Sequence, residues 1–330
     1  MLSGYLGDTV GSTPLIKIKS LSKLTGCEIY GKAEFLNPGG SVKDRAALGM
    51  IRGFEQRGEL KPGGTIVEGT AGNTGIGLAT LAAERGYRVK IVAPNNQTEE
   101  KYTLLRALGC ELTLVPPVPF RDENHFYHQA KRLAEATPGA VWANQFENPD
   151  NGNFHFETTG PEIWTQSLEK VDIFCMSVGT GGTISGVSRY LKSKNRNIEV
   201  YAVDPDGSGI ASYLERKEFV ANGSSITEGI GIMRLTENFK SARVDFPLRV
   251  SDQDMIDMCH HLARNDGLVL GSSAALNLAA ALKIGFKHKN SNKVIVTILC
   301  DHGSRYFTKL FNQDFLKEKN LLPHAISGNV

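Results

Sequence analysis

Short apolar runs rich in Val and Ile alternate along the chain with longer segments of helical periodicity. The apolar runs predict strands at 28–35, 65–69, 88–93, 111–115, 140–144, 172–178, 199–204 and 294–300. The periodic segments predict helices at 41–57, 74–85, 97–108, 123–136, 183–193, 251–265 and 274–286. Several strands are apolar almost throughout, as strands buried on both faces of a parallel sheet are. The predicted fold class is therefore α/β.

The length of 330 residues predicts two domains, but no linker or change in composition marks a boundary between them. With 37 basic and 35 acidic residues the net charge is +2, which argues against nucleic-acid binding. No apolar run approaches the roughly 20 residues that span a membrane, and no secretory signal is visible. The five cysteines are scattered without a CxxC pair, which predicts no metal site and buried thiols in a reducing cytoplasm.

Asn37 to Arg45 form the first of four glycine-rich turns between a predicted strand and a predicted helix. This turn leads to Lys43 in the first turn of a helix, where the positive end of the helix dipole disfavours a cation. The same field lowers the pKa of an amine, which suits a lysine that forms an imine with a carbonyl group.

Gly69 to Gly77 form the second turn, in which Thr70, Asn73 and Thr74 add side-chain donors to the exposed N–H groups of small residues. Such a helix start suits a carboxylate. A tight turn that needs glycine for its backbone is the alternative, and the three interleaved polar residues favour the carboxylate site.

Gly179 to Thr183, with the sequence GTGGT, form the third turn, which suits a phosphate monoester at the start of a helix. The turn matches neither a dinucleotide fingerprint nor a nucleotide-triphosphate loop. The fourth turn, Leu270 to Ala275, fits close helix packing as well as it fits a ligand role. An imine-forming lysine, a phosphate pocket and a carboxylate pocket together predict pyridoxal 5'-phosphate holding an amino acid.

The segments NPGGSVKDR, TAGNTG and GTGGT, together with GSTPL at 11–15, resemble the cysteine synthase and cystathionine β-synthase family in order and spacing. The resemblance runs from about residue 5 to about residue 312. It implies a fold-type II pyridoxal-phosphate enzyme, similar to the β subunit of tryptophan synthase. Two three-layer αβα domains with mostly parallel sheets would enclose the cofactor: a smaller one over 47–153, and a larger one over 1–46 and 154–330. A homodimer is the usual assembly.

The resemblance also implies a role for individual residues. Lys43 would bind the cofactor covalently and act as general base, Asn73 would bond its ring oxygen, and Ser273 would face its ring nitrogen. The residues implied for the phosphate are Gly179, Thr180, Gly181, Gly182 and Thr183. The residues implied for the amino-acid substrate are Thr70, Ala71, Gly72, Thr74, Gln145 and Gly229.

The reaction that the resemblance implies is cysteine synthesis from O-acetyl-L-serine and sulfide through an aminoacrylate intermediate. Release of sulfide from cysteine and cystathionine β-synthesis are the nearest alternatives. A catalytically weak paralogue with a binding or regulatory role is an alternative of another class, although Lys43 is present. A nicotinamide dehydrogenase would need a GxGxxG fingerprint after a strand, and the sequence has none there.

Three features depart from the usual pattern of the family. Ala71 stands where these enzymes commonly carry serine, and Asp301 follows the last strand where many carry serine, which leaves Ser273 and Asp301 as alternative partners of the ring nitrogen. The segment 116–125 is also unusual, and we expect it to form a rigid surface turn rather than the entrance of the site. Lys101 is expected only to belong to the first turn of a helix.

Overall fold

The computed structural model describes residues 4–70 and 72–326, which form two β-sheets with helices on both faces. The strands are β1 (Leu15–Lys17), β2 (Glu28–Lys32), β3 (Thr65–Gly69), β4 (Arg88–Pro94), β5 (Glu111–Val115), β6 (Ala140–Trp142), β7 (Ile173–Ser177), β8 (Glu199–Pro205), β9 (Phe246–Val250) and β10 (Val294–Ile298). The α-helices are α1 (Lys19–Thr25), α2 (Lys43–Gln56), α3 (Asn73–Arg85), α4 (Glu99–Ala107), α5 (Phe126–Ala136), α6 (Pro149–Glu157), α7 (Thr159–Gln166), α8 (Gly182–Lys194), α9 (Ile210–Arg216), α10 (Glu237–Lys240), α11 (Asp252–Asn265), α12 (Ser272–Lys287) and α13 (Gln313–Glu318). Short 3₁₀ helices cover Leu6–Thr9, Glu34–Leu36 and Gly303–Tyr306.

The larger sheet has the strand order β1-β2-β10-β7-β8-β9, and the smaller sheet has the order β5-β4-β3-β6. All neighbouring strands are parallel except β1 and β2. This arrangement confirms the predicted α/β class with mostly parallel sheets. The strands of the smaller sheet all fall within the predicted smaller domain, 47–153. The exact division of the chain into domains stays a prediction.

Alternate residues of the strands face two different hydrophobic cores. In β7, Ile173 and Cys175 pack toward α11 and α12, whereas Phe174 and Met176 pack toward α7 and α8. The smaller sheet lies in the same way between α2, α3 and α4 on one face and α5 on the other. Burial on both faces explains why these strands are apolar almost throughout.

Each predicted strand and helix is present, with bounds that shift by a few residues. The predictions missed β1 and β9, which form the two edges of the larger sheet, and several short helices such as α6 and α7. Within the described ranges, no helix combines the length and the apolar character that crossing a lipid bilayer requires.

A buried ion cluster fixes the start of α2. Arg45 bonds Glu34 through Nε and Nη2, at 2.7 and 2.8 Å, and bonds Glu162 in α7 through Nη1 and Nη2, at 2.8 and 2.7 Å. Lys32 in β2 adds a second cationic group 2.6 Å from Glu162. The side chains of Arg45 and Glu34 are fully buried, so each depends on the other for compensation of its charge. The cluster joins the larger sheet, α7 and the first turn of α2.

We expect Glu34→Gln to lower the free energy of unfolding by about 3–5 kcal/mol, because it leaves one carboxylate fewer for a buried guanidinium. Urea unfolding followed by circular dichroism measures this loss. The matched control is Glu28→Gln, which breaks an exposed pair with Lys17 and should cost less than about 1 kcal/mol. Equal losses in the two variants would show that Glu162 alone compensates Arg45.

Candidate active site

A cavity of about 310 Å³ lies at the carboxyl ends of β3, β6, β7 and β10, between the two sheets. In parallel α/β sheets this is where ligands bind, because the turns into the following helices gather there. The sequence-predicted residues that line the cavity are Lys43, Thr70, Asn73, Thr74, Gln145, Gly179, Thr180, Gly181, Thr183, Gly229 and Ser273. Gly72 and Gly182 belong to the same turns, and Ala71 lies outside the described residues. The role of each residue stays a prediction.

Lys43 is the first residue of α2, and its amine points into the cavity. Within residues 4–70 and 72–326, its Nζ atom makes no hydrogen bond or ion pair. Loss of hydration lowers the pKa of Lys43 from its ordinary value; the charge of Lys101 acts in the same direction, whereas Cys300 and Asp301 oppose it. A neutral amine in this position can act as a nucleophile or as a base.

The candidate carboxylate pocket is formed by the turn between β3 and α3. Gly72 precedes α3 with a φ of 139°, and its N–H group donates to Thr70 Oγ1 at 3.2 Å. Thr74 Oγ1 donates to Gln145 Oε1 at 2.5 Å. The amide of Gln145, which is only 3% exposed, therefore has its carbonyl oxygen turned toward Thr74.

Glu68 holds the other end of this amide, a contact that the sequence analysis missed. Its Oε1 atom accepts from Gln145 Nε2 at 2.9 Å, and its Oε2 atom is buried without a partner in the described structure. Burial raises the pKa of Glu68 to about 8, although the hydrogen bonds from Gln145 oppose this effect. Glu68 is therefore mainly protonated at neutral pH. The sequence feature that could have indicated this contact is the position of Glu68, a carboxyl residue near the end of an otherwise apolar strand.

The turn from Gly179 to Thr183, which we call the phosphate-like cradle, lies between β7 and α8. Gly181 has a φ of +86°, which favours glycine, and a Cβ atom there would stand 2.7 Å from the backbone nitrogen of Phe239. A Cβ atom on Gly179 would collide with the carbonyl oxygen of Gly229. The turn lies at the start of α8, where the Gly182 N–H group donates to Thr180 Oγ1 at 3.3 Å, and a glycine-rich helix start of this kind fits a phosphate group.

Two residues that the sequence analysis did not single out support the hydroxyl groups of this cradle. Asn151 Nδ2 donates to Thr180 Oγ1 at 3.1 Å. His155 Nε2 lies 3.1 Å from Thr183 Oγ1, and its Nδ1 lies 2.8 Å from Thr159 Oγ1. Burial lowers the pKa of His155 well below its ordinary value, so its ring is neutral. Both residues come from α6, which the sequence pattern did not predict.

Ser273 and Asp301 occupy different positions relative to the cavity. Ser273, in the first turn of α12, lines the cavity beside Cys300. The carboxylate of Asp301 instead accepts from Asn73 Nδ2 at 2.7 Å and from Tyr306 Oη at 2.5 Å. Asp301 does not line the cavity itself but orients the amide of Asn73, which does.

Lys101 is more than part of a helix first turn, because its buried side chain lines the cavity. Its amine lies 2.5 Å from Glu228 Oε2 and 4.4 Å from the centre of the Tyr306 ring. The other oxygen of Glu228 lies 2.5 Å from Lys309 Nζ. One buried carboxylate thus links α4, beside the smaller sheet, to the C-terminal part of the chain.

The segment 116–125 also differs from the expectation that it forms only a rigid surface turn. It forms a turn, but Phe120 and His125 line the cavity, so the segment is part of the entrance and not only a surface turn. The sequence could not show this, because the approach of the segment to the cavity depends on tertiary packing.

Comparisons with known proteins identify the family and several relatives of this chain. The profile of the family described as pyridoxal-phosphate dependent enzyme matches residues 6–301. Cysteine synthase 1 of Neurospora crassa is 48% identical over 322 residues, which cover 96% of this chain and 85% of that protein. Among solved structures, an O-acetylserine-dependent cystathionine β-synthase from Helicobacter pylori has a TM-score of 0.83 and 33% identity, covering 94% of this chain and 98% of that one. A hydrogen sulfide-producing enzyme from Fusobacterium nucleatum has a TM-score of 0.85 and 33% identity, covering 92% and 100%.

We expect Glu68→Gln to change the pH dependence of stability. The pKa of Glu68 rises from 4.5 to about 8 on folding, so between these values the folded protein holds a proton that the unfolded chain has released. The stability of the wild type should therefore fall, relative to the variant, by at most about 1.4 kcal/mol per pH unit from pH 4.5 to 8 and then level off. Urea unfolding at pH 5, 6.5, 8 and 9 tests the prediction. Parallel curves for the two proteins would contradict it.

Proposed function

Because this chain belongs to the family of pyridoxal-phosphate-dependent enzymes, we propose that it is a cysteine synthase, which makes L-cysteine and acetate from O-acetyl-L-serine and sulfide. One observation carries the proposal: the unpaired amine of Lys43 faces the same cavity as the phosphate-like cradle and the candidate carboxylate pocket. The identity with a cysteine synthase over nearly the whole chain supports the choice of reaction.

Lys43 would hold pyridoxal phosphate covalently, and the turn from Gly179 to Thr183 would bind its phosphate group. Asn73 would bond the ring oxygen, with its amide already oriented by Asp301. Ser273 would face the ring nitrogen, because Ser273 lines the cavity whereas the Asp301 carboxylate is turned toward Asn73 and Tyr306. A hydroxyl partner leaves the ring uncharged. The bound cofactor supplies an electron sink for the negative charge that develops at the α-carbon.

Residues of the chain itself would bind the substrate and transfer the proton. Thr70, Gln145 and the first N–H groups of α3 would bind the substrate carboxylate and fix the direction of its Cα–H bond. Lys43, as a free amine of lowered pKa, would take the α-proton as general base. The β-substituent would leave toward the side of the cavity lined by Gly229, from which the sulfur nucleophile enters.

We also propose a homodimer, as the family resemblance implies, and light scattering should give twice the mass of one chain. The free thiols of the five cysteines support action in a reducing compartment, for which we propose the cytoplasm. A monomer mass in solution would contradict the first of these proposals.

The deciding experiment mixes purified protein, loaded with pyridoxal phosphate, first with O-acetyl-L-serine and then with sulfide. We expect a change in the visible absorbance of the cofactor on the first addition, its reversal on the second, and one cysteine per acetate released. Sulfide release from cysteine, without reaction of O-acetylserine, would instead assign the activity of the Fusobacterium relative.

We expect Lys43→Ala to abolish both cysteine formation and the visible absorbance of the lysine-bound cofactor, because no other amine occupies its position. Absorbance spectra and cysteine quantification measure the two effects. Lys61→Ala, at an exposed lysine, is the control and should behave as the wild type. Sustained turnover by the Lys43 variant would contradict the assignment.

A further inference from the structure

Arg305 joins the turn that precedes Lys43 to the amide of Asn73. It lies in the 3₁₀ helix Gly303–Tyr306, and its side chain is buried. Its Nη2 atom donates to the carbonyl oxygen of Gly39, and its Nη1 atom donates to Asn73 Oδ1 at 2.7 Å. Because the guanidinium is planar and rigid, it fixes the position of the Asn73 amide relative to the turn that leads to Lys43.

The turn before α2 has a backbone shape that admits this guanidinium. Gly40 has a φ of +79°, which favours glycine, and a Cβ atom there would stand 2.7 Å from Arg305 Nη2. The N–H group of Gly39 donates to Asp44 Oδ2 at 2.6 Å, which holds the turn against the first turn of the helix. Gly40 thus leaves room for Arg305, and the contact with Gly39 is made on a backbone that is already fixed.

The contacts of Asn73 determine which end of its amide a ligand meets. A guanidinium only donates and a carboxylate only accepts, so the bonds to Arg305 and Asp301 assign Oδ1 and Nδ2. Asp301 uses one of the two N–H groups of Nδ2, and within residues 4–70 and 72–326 the second has no partner. Asn73 lines the cavity, so it offers a ligand an N–H donor rather than the carbonyl oxygen, which faces Arg305. The charged donor at Oδ1 also polarises the amide and strengthens the N–H group as a donor.

The polarity of this amide matters for the chemistry of pyridoxal phosphate. The ring oxygen of the cofactor lies next to the carbon that is joined to a lysine as an imine, so the oxygen and the imine nitrogen share one proton. A donor at the ring oxygen favours its charged form and leaves the proton on the imine nitrogen, whereas an acceptor would favour a hydroxyl group. An imine that is protonated on nitrogen is the more electrophilic form, which an incoming amine attacks more readily.

We propose that Arg305 is a positioning residue that keeps an N–H group of Asn73 turned toward the ring oxygen of pyridoxal phosphate, so that this oxygen is held as an oxyanion. The inference rests on the proposed function, because it takes Lys43 as the residue that holds the cofactor. Arg305 does not belong to the cavity lining of the described structure, so it acts through Asn73.

The test uses the visible absorbance of the protein loaded with pyridoxal phosphate, at one fixed pH. The form with a ring oxyanion absorbs at a longer wavelength than the form with a ring hydroxyl group, so the ratio of the two bands shows where the proton lies. We expect Arg305→Met to lower this ratio about threefold to tenfold, which is the scale of one hydrogen bond. Arg305→Lys keeps one cationic donor and should give a ratio between those of the wild type and Arg305→Met.

A second substitution separates the action of Arg305 through the amide from an effect of its charge. Asn73→Ala should also lower the ratio, and Arg305→Met should change the ratio little further in the Asn73→Ala background. Burial raises the pKa of Asp44 to about 7 and the charge of Arg305 opposes this rise, but an effect by this route would persist without Asn73. Arg249→Met, which breaks an exposed pair with Glu215, is the matched control and should leave the spectrum unchanged.

An unchanged ratio in Arg305→Met, or equal falls with and without Asn73, would overturn the inference. Circular dichroism of each loaded variant verifies the fold, and if Arg305→Met does not fold, Arg305→Lys is compared in the two backgrounds by the same criteria. A wild type that binds the cofactor at Lys43 but makes no cysteine would overturn the proposed reaction and leave the spectral test intact. A wild-type spectrum that does not depend on Lys43 would overturn the proposed function and the inference together.

Discussion

The buried pairing of Arg45 with two carboxylates sets the geometry on which the cavity depends. Arg45 lies two residues after Lys43, in the same helical turn, and its partners Glu34 and Glu162 come from the neighbourhood of β2 and from α7. The body of α2 packs on the other side against α3, beside the smaller sheet. One ion cluster therefore holds the lysine relative to both sheets. A guanidinium binds carboxylates in a fixed planar fork. The cluster therefore also fixes the orientation of the first turn of α2, which a purely apolar contact would leave freer.

Around the cavity, a buried neutral or charged group orients several of the polar side chains that face inward. Glu68 fixes the amide of Gln145, Asp301 fixes that of Asn73, and His155 supports Thr183. These supporting groups lose hydration on folding, and their hydrogen bonds offset that cost only in part. What the protein gains is a single orientation of its binding groups before any ligand arrives.

Sequence reasoning recovered the parts of the fold and of the candidate site that are encoded locally. Strands such as β10 are apolar because both faces are buried. Glycine-rich turns can be recognised from their composition. The edge strand β9 was missed because Pro247 and Arg249 interrupt its pattern, as is usual at the edge of a sheet. The contacts of Glu68 and Arg305 were missed for another reason: their partners lie far away in the sequence, and only tertiary packing brings them together.

The close approach of two loops has a thermodynamic consequence. Gly179 has no Cβ atom, so the carbonyl of Gly229 lies directly against it, and the backbone of Gly231 donates to Val178 at 2.9 Å. The loop that carries Arg234, which lines the cavity beside Phe120, is thereby joined to the phosphate-like cradle. Whatever orders one loop must also favour the ordered form of the other, and this linkage is reciprocal. A substitution in the loop that carries Arg234 is therefore expected to change the affinity for the cofactor as well, and a substitution in the cradle is expected to change binding at the cavity entrance.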